Sequence, residues 1–181
     1  MADKSVAAGK VPPQNLDAEM SLLGAVLIDE EVLADVSEHV KAKDFYDKRH
    51  AVIFDAMMRL YEKNKPVDLL TLTDELKRKK ELDGVGGSAY LTELTNYVPT
   101  AAHAESYAEI VAQKAVRRRL IKASGDISEL GYNEETSTQE LLQQAEAELF
   151  SVSDQSLKQD LTSLESILTD SFDRLEELHR N

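Results

Sequence analysis

The groups in this chain that could do chemistry are few, and each sits in a short local pattern. Gly84-Val85-Gly86-Gly87 is the most suggestive, because a glycine-rich turn entering a helix is how backbone amides cradle phosphates. A phosphate loop needs G-x-x-x-x-G-K-[ST], and no lysine follows these glycines. A dinucleotide fingerprint needs G-x-G-x-x-G after a strand, but Gly87-Ser88-Ala89 lacks the last glycine and the preceding segment reads as helix. The turn is therefore expected only to reverse the chain, its glycines taking positive φ and closing one helix while Ser88 starts the next. His39, His50, His103 and His179 include no i, i+4 pair that would present two ligands on one helix face. His50 falls on an apolar stripe, where a packed imidazole belongs. There is no cysteine and no serine elbow, and pairs such as Glu134-Glu135 and Glu176-Glu177 have no pocket to tune them. Arg117, Arg118 and Arg119, flanked by Lys114 and Lys122, either touch phosphates or lie as a solvated face over a hairpin. No metal, cofactor or catalytic residue is expected.

Bulk properties agree with a binding role. The 181 residues are 42% hydrophobic, enough to bury a core. No apolar run is long enough to span a membrane and the first ten residues do not read as a signal peptide, so a cytoplasmic location is expected. The net charge of −13 is uneven: residues 126–181 carry 14 acidic and 3 basic side chains, leaving residues 1–125 near neutral. An acidic surface repels phosphate backbones, so tight autonomous DNA binding is not expected.

The elements that would position these groups are all helices. After a flexible lead-in over residues 1–14, Asn15 is set to cap a helix with Leu16, Met20, Leu23 and Leu27 on one face, Asp17 and Glu19 suiting its dipole. Gly24 lies near that face, where it would admit another backbone. A short helix follows over residues 30–40, and then one with His50, Ile53, Phe54, Met57, Leu60 and Tyr61 in a stripe. Pro66 ends it. Asp68 or Thr71 caps the next, with Leu69, Leu72 and Leu76 inward and the basic run 77–80 as its solvated flank. Beyond the glycines, Tyr90, Leu91, Leu94, Tyr97 and Val98 mark a helix ended by Pro99. A long helix from about Ala101 to Leu130 changes apolar phase midway, from Tyr107, Ile110 and Val111 to Val116, Leu120, Ala123, Ile127 and Leu130. Its first half is expected to face a core and its second half another helix, the one opened by Ser137 and Glu140 and carrying Leu141, Leu142, Ala145, Leu149 and Phe150.

The expected fold class is all-α: a globular helical head over 15–100, a protruding antiparallel helical hairpin over 101–152, a linker over 153–161, and a terminal amphipathic helix over 162–181. That last helix, with Leu164, Ile167, Leu168, Phe172, Leu175 and Leu178 on one stripe, either docks on a neighbouring domain or folds back on the head.

The ordered strings "VPPQNLDAEMSLLGAVLID", "DFYDKRHAVIFDAMMRLYEKNKPVDLLTLTDELKR", "GGSAYLTELTNYVPTAAHAESYAEIVAQKAVRRRLIKASGDI" and "GY" resemble the N-terminal domain of DnaB-type bacterial replicative DNA helicases, over about residues 11–152. Residues 162–180 resemble the helix joining that domain to the ATPase domain. The ATPase part and its Walker motifs are absent from the 181 residues, so the chain reads as a piece of a longer protein. The resemblance implies several partners. The chain would associate with itself through hairpin residues such as Val116, Leu120, Ile127, Leu130, Leu142 and Leu149, as a dimer or a trimer of dimers. It would bind the helicase-binding domain of a DnaG-type primase, with Tyr90, Ile121 and Ile127 at matching positions, and a helicase loader is a further partner. Leu164, Ile167, Leu168, Phe172 and Leu175 would dock on the ATPase domain of the adjacent subunit. ATP and Mg2+ would belong to the ATPase part alone. Two other readings are a stand-alone adaptor or loader-like protein mimicking the helicase collar, and an enzyme with an unrecognised helical active site.

Overall fold

A computed structural model describes residues 10–152, and among these every regular element is helical. The terminal helix and its docking residues, Leu164, Ile167, Leu168, Phe172 and Leu175, lie outside the described residues. In chain order the helices are α1 (Leu16–Ile28), α2 (Val32–His39), α3 (Lys48–Tyr61), α4 (Leu69–Arg78), α5 (Gly87–Thr95) and α6 (Ala104–Leu130). A seventh, α7, covers residues 138–152. Short 3-10 turns at Ala42–Asp44 and Asp83–Val85 lead into α3 and α5. The chain divides into two compact units at Arg117/Arg118, inside α6.

The first unit, Val11–Arg117, is built around α1. Asn15 caps that helix by accepting from the Ala18 amide at 3.0 Å. α1 is buried nearly all round: Leu22, Leu23, Ala25 and Val26 have no exposed surface. The expected single face was therefore too narrow, and Leu16, assigned to it, is 41% exposed. A helix apolar on all sides belongs inside a core, where no one stripe defines its orientation. α1 packs on α5 and α3, and α4 on α3 and α5. Asp47 caps α3, and Asp68 and Thr71 form a reciprocal capping box on α4, with Thr71 N–H donating to Asp68 at 2.8 Å. Tyr61, expected inward, is exposed at the end of α3.

The head also extends past the expected limit at residue 100. Ala101, Ala104, Ala108 and Val111 are buried in its core, so the first turns of α6 complete it, as the stripe there required. His39 on α2 meets Glu105 on α6 at 3.3 Å across this junction.

The second unit contains the later part of α6, the turn after Leu130 and α7. Ser137 and Glu140 cap α7 reciprocally, the serine hydroxyl donating to Glu140 at 2.8 Å. Asp126 and Leu130 of α6 and Gln144, Ala147 and Glu148 of α7 line one cleft of about 200 Å³. Ala123 is buried in this unit and Leu130 is half-buried.

Candidate interaction sites

The glycine turn does not open toward a phosphate, because its amides are used internally. Val85 N–H donates to Glu81 O, Gly86 N–H to Asp83 O and Gly87 N–H to Leu82 O at 2.9–3.2 Å. Gly86 (φ 100°) and Gly87 (φ 72°) take the left-handed region that glycine alone enters freely. They start α5 rather than closing α4, which corrects the expectation. α4 closes at Lys80, itself left-handed at φ 60°. Ser88 is likewise not the cap: it lies inside α5, whose N-cap is Gly86 with no side-chain hydrogen bond. The helix also ends at Thr95, before Pro99, which leaves Tyr97 outside it.

Gly86 matters for a second reason. A Cβ there would lie 3.0 Å from the Tyr90 Cβ, so the bare backbone gives the tyrosine its place. Tyr90 is half-buried. Its hydroxyl lies 2.6 Å from His50 Nε2, and the two rings are parallel within 4° at 6.0 Å. His50 Nδ1 lies 2.7 Å from Glu19 Oε2, with both side chains almost fully buried. Glu19 also accepts the Tyr46 amide at 2.6 Å and the Asp47 amide at 3.2 Å. A carboxylate accepting three donors fixes the imidazole edge that faces it. The relay thus links α1, the loop before α3, α3 and the first turn of α5.

Outside it, the Arg49 guanidinium sits 4.7 Å over the Tyr90 ring, a cation–π distance, and pairs with Asp47 at 2.7 Å. Hydrogen bonding from Arg49 holds the Asp47 carboxyl below its usual range. Burial raises the Tyr90 hydroxyl above its ordinary value, with Arg49 pulling the other way.

His50 is in the core, as its stripe indicated, and both ring nitrogens are engaged by protein groups. Glu19 was missed. Its proximity to the helix start suggested a dipole role, but it lies four residues before Leu23 and three before Leu22, inside the buried surface of α1. A carboxylate on a core helix together with a histidine on a core stripe was the available signal.

The second acidic centre was also hidden. Glu75 on α4 is buried and receives Arg78 at 2.6 Å, Arg59 at 3.4 Å and Lys63 at 3.6 Å. The Arg78 hydrogen bond, outweighing burial, brings its carboxyl down to about 2. Arg59 reaches on to Glu81 at 2.7 Å and to Asp55. Arg78 is therefore an ion-pair partner and not merely the solvated flank expected of the run 77–80.

In the second unit the expected hairpin residues divide. Leu120, Ile121, Leu142 and Leu149 are 48%, 49%, 61% and 49% exposed, and Phe150 is 67% exposed. Val116, Ile127 and Leu130 are half-buried. Six residues apart on one helix, Ile121 and Ile127 sit roughly 120° apart around its axis and do not share a face. Of the basic cluster, Arg117 is exposed and Arg118 and Arg119 are half-buried. No helix among the described residues is long and apolar enough to cross a membrane.

This arrangement of helices is the all-helical N-terminal domain of replicative helicases. The family model for the DnaB-like helicase N terminal domain matches residues 11–113, and the chain belongs to that family. It is 41% identical over 167 residues to the replicative DNA helicase DnaB of Leifsonia xyli subsp. xyli (strain CTCB07), covering 92% of this chain and 36% of that protein. To the replicative DNA helicase DnaB of Geobacillus stearothermophilus it is 40% identical over 170 residues, covering 94% of this chain and 37% of that protein. The chain therefore spans little more than a third of the length of the curated relatives it matches. Its fold is similar to the crystal structure of the N-terminal domain of DnaB helicase from Mycobacterium tuberculosis, with a TM-score of 0.75 and 41% identity over 78% of this chain and 99% of that one. It is also similar to a DnaB-like replicative helicase whose structure was described with its interactions with primase. There the TM-score is 0.65 and the identity 25%, over 84% of this chain and 35% of that one.

Proposed function

We propose that this chain is the collar and assembly module of a replicative DNA helicase, which associates with itself and recruits a DnaG-type primase without catalysis of its own. The observation that carries the reading is the set of exposed apolar side chains on the α6–α7 hairpin, Leu120, Ile121, Leu142, Leu149 and Phe150, in a chain of the DnaB-like helicase N-terminal domain family. A row of leucines in water is a liability unless another protein covers it. Self-association uses Leu120, Leu142 and Leu149, together with the half-buried Val116, Ile127 and Leu130. Primase contacts are assigned to Tyr90 in the first unit and, in the second, to Ile121 and Ile127 on separate faces of α6, a reading supported by the primase interactions of the related helicase. ATP and Mg2+ act in the ATPase part of a replicative helicase. A helicase loader is a further partner, and the site of action is the cytoplasm.

Isothermal titration against the C-terminal helicase-binding domain of a DnaG-type primase tests the recruiting role. Tyr90→Ala, Ile121→Asp and Ile127→Ala are each expected to weaken binding by about tenfold or more. An absence of binding by the unaltered chain, or binding by all three variants as tight as that of the unaltered chain, sinks this assignment.

A further inference from the structure

The Glu19–His50–Tyr90 relay is an expensive way to fill a core. A buried carboxylate and imidazole must be stripped of water, and apolar side chains of the same volume often serve stability as well or better. The relay also ends in an unusual place, on the hydroxyl of a half-buried tyrosine in the first turn of α5. That turn has no side chain to cap it. Its N-cap is a left-handed glycine with no side-chain hydrogen bond, and a second left-handed glycine follows. Gly86 leaves room for Tyr90, but the groups that hold its hydroxyl come from outside α5. Glu19 is fixed from two sides by the Tyr46 and Asp47 amides and orients the His50 ring, and the ring in turn holds the hydroxyl at 2.6 Å. Arg49, one residue before His50, then covers the tyrosine ring at 4.7 Å.

We propose that Glu19 and His50 are positioning residues for partner capture at Tyr90. Buried and never touching the partner, they hold the tyrosine ring and its covering Arg49 as a preformed plate, so the entropy of ordering a surface aromatic is not lost on binding. The inference rests on the reading of Tyr90 as a primase contact.

Titration of the 181-residue chain with the C-terminal helicase-binding domain of a DnaG-type primase separates the two ideas. No binding by the unaltered chain, or unchanged binding by Tyr90→Ala, removes the contact and this proposal with it. Given loss in Tyr90→Ala, His50→Leu and Tyr90→Phe are each expected to weaken binding about tenfold. The double variant should be no weaker than either alone, because both changes cut the same link. His50→Gln, whose carboxamide oxygen can take the place of Nε2 beside the hydroxyl, is expected to recover most of the affinity. Full affinity in Tyr90→Phe, or in a folded His50→Leu, overturns the positioning role and leaves Tyr90 as a contact. Should His50→Leu fail to fold by circular dichroism, the other two variants decide. Loss in Tyr90→Phe with retention in His50→Gln supports the role, and equal loss in His50→Gln and Tyr90→Ala overturns it. A spectroscopic signature stands apart from stability: the Tyr90 hydroxyl proton is expected to be protected from exchange in the proton NMR spectrum of the unaltered chain. Its absence there overturns the proposal.

Discussion

A Cβ added to Gly24 would lie 2.3 Å from the carbonyl oxygen of Leu94. α1 and α5 thus meet backbone to backbone at the centre of the head, and the contact tolerates only a hydrogen on Gly24. Gly24→Ala must push α5 away from α1 or distort one of them, and the obstacle is main chain, which cannot swing aside. The expected cost is about 3 kcal/mol, at the upper end of overpacking. Urea unfolding followed by circular dichroism measures it as a lower midpoint with an unchanged slope. A midpoint like that of the unaltered chain would mean the helices have room to separate.

The opposite sign is expected at Lys80. Its φ of 60° places a side-chain-bearing residue in the left-handed region. The bonds from Glu81 N–H to Leu76 O and from Lys80 N–H to Lys77 O, both 2.9 Å, are those of a Schellman closure, where glycine is the favoured occupant. Lys80→Gly removes the strain and should stabilise the head by about 0.5–1 kcal/mol, part of the gain being offset by a freer unfolded chain. Thermal unfolding should show a rise of a few degrees, and a fall would show that the lysine side chain contributes more than its backbone costs.

These two positions also show what was legible in the sequence. Gly24 stood out because a lone glycine among leucines on a helix marks a close approach. Lys80 did not, because the usual signal for a left-handed helix closure is glycine, and the glycines nearby open the next helix instead. Caps at Asn15, Asp68 and Ser137 could be read because each bonds to a group three residues away. The Glu19–His50 pair spans 31 residues and the His50–Tyr90 pair 40, so neither is encoded in any local pattern. The tyrosine and histidine each gave a hint alone, but the link between them exists only once α1, α3 and α5 have packed.

Glu75 gives the head a predictable acid limb. Its folded value of about 2 lies below the ordinary 4.5, so the unfolded chain binds the proton more readily. The resulting stability is complete above roughly pH 5 and is lost as the pH falls from there toward 2. Glu75→Gln keeps the shape but gives up the charge facing Arg78, Arg59 and Lys63. It should cost about 1–2 kcal/mol at pH 7 and progressively less toward pH 3. Unfolding midpoints measured at pH 7, 5, 4 and 3 for both proteins should therefore converge on the acid side. Curves that stay parallel down to pH 3 would show that the ion cluster is not the source of the acid sensitivity.

The hairpin can be tested without disturbing the fold that carries it. Leu120, Leu142 and Leu149 are about half or more exposed, so replacing each with glutamate should change the stability of the isolated chain by no more than about 0.5 kcal/mol. If these leucines are the self-association surface, three added negative charges on a chain already at −13 will oppose pairing by both desolvation and repulsion. Sedimentation velocity over a range of concentrations should then show the unaltered chain associating and the triple variant remaining monomeric at about tenfold higher concentration. Glutamate at Tyr132, also exposed but in the turn after α6, serves as the control and should leave association intact. Equal sedimentation of the unaltered chain and the triple variant would move the self-association surface off this face of the hairpin, and Phe150 and the half-buried Val116 would be the next positions to change.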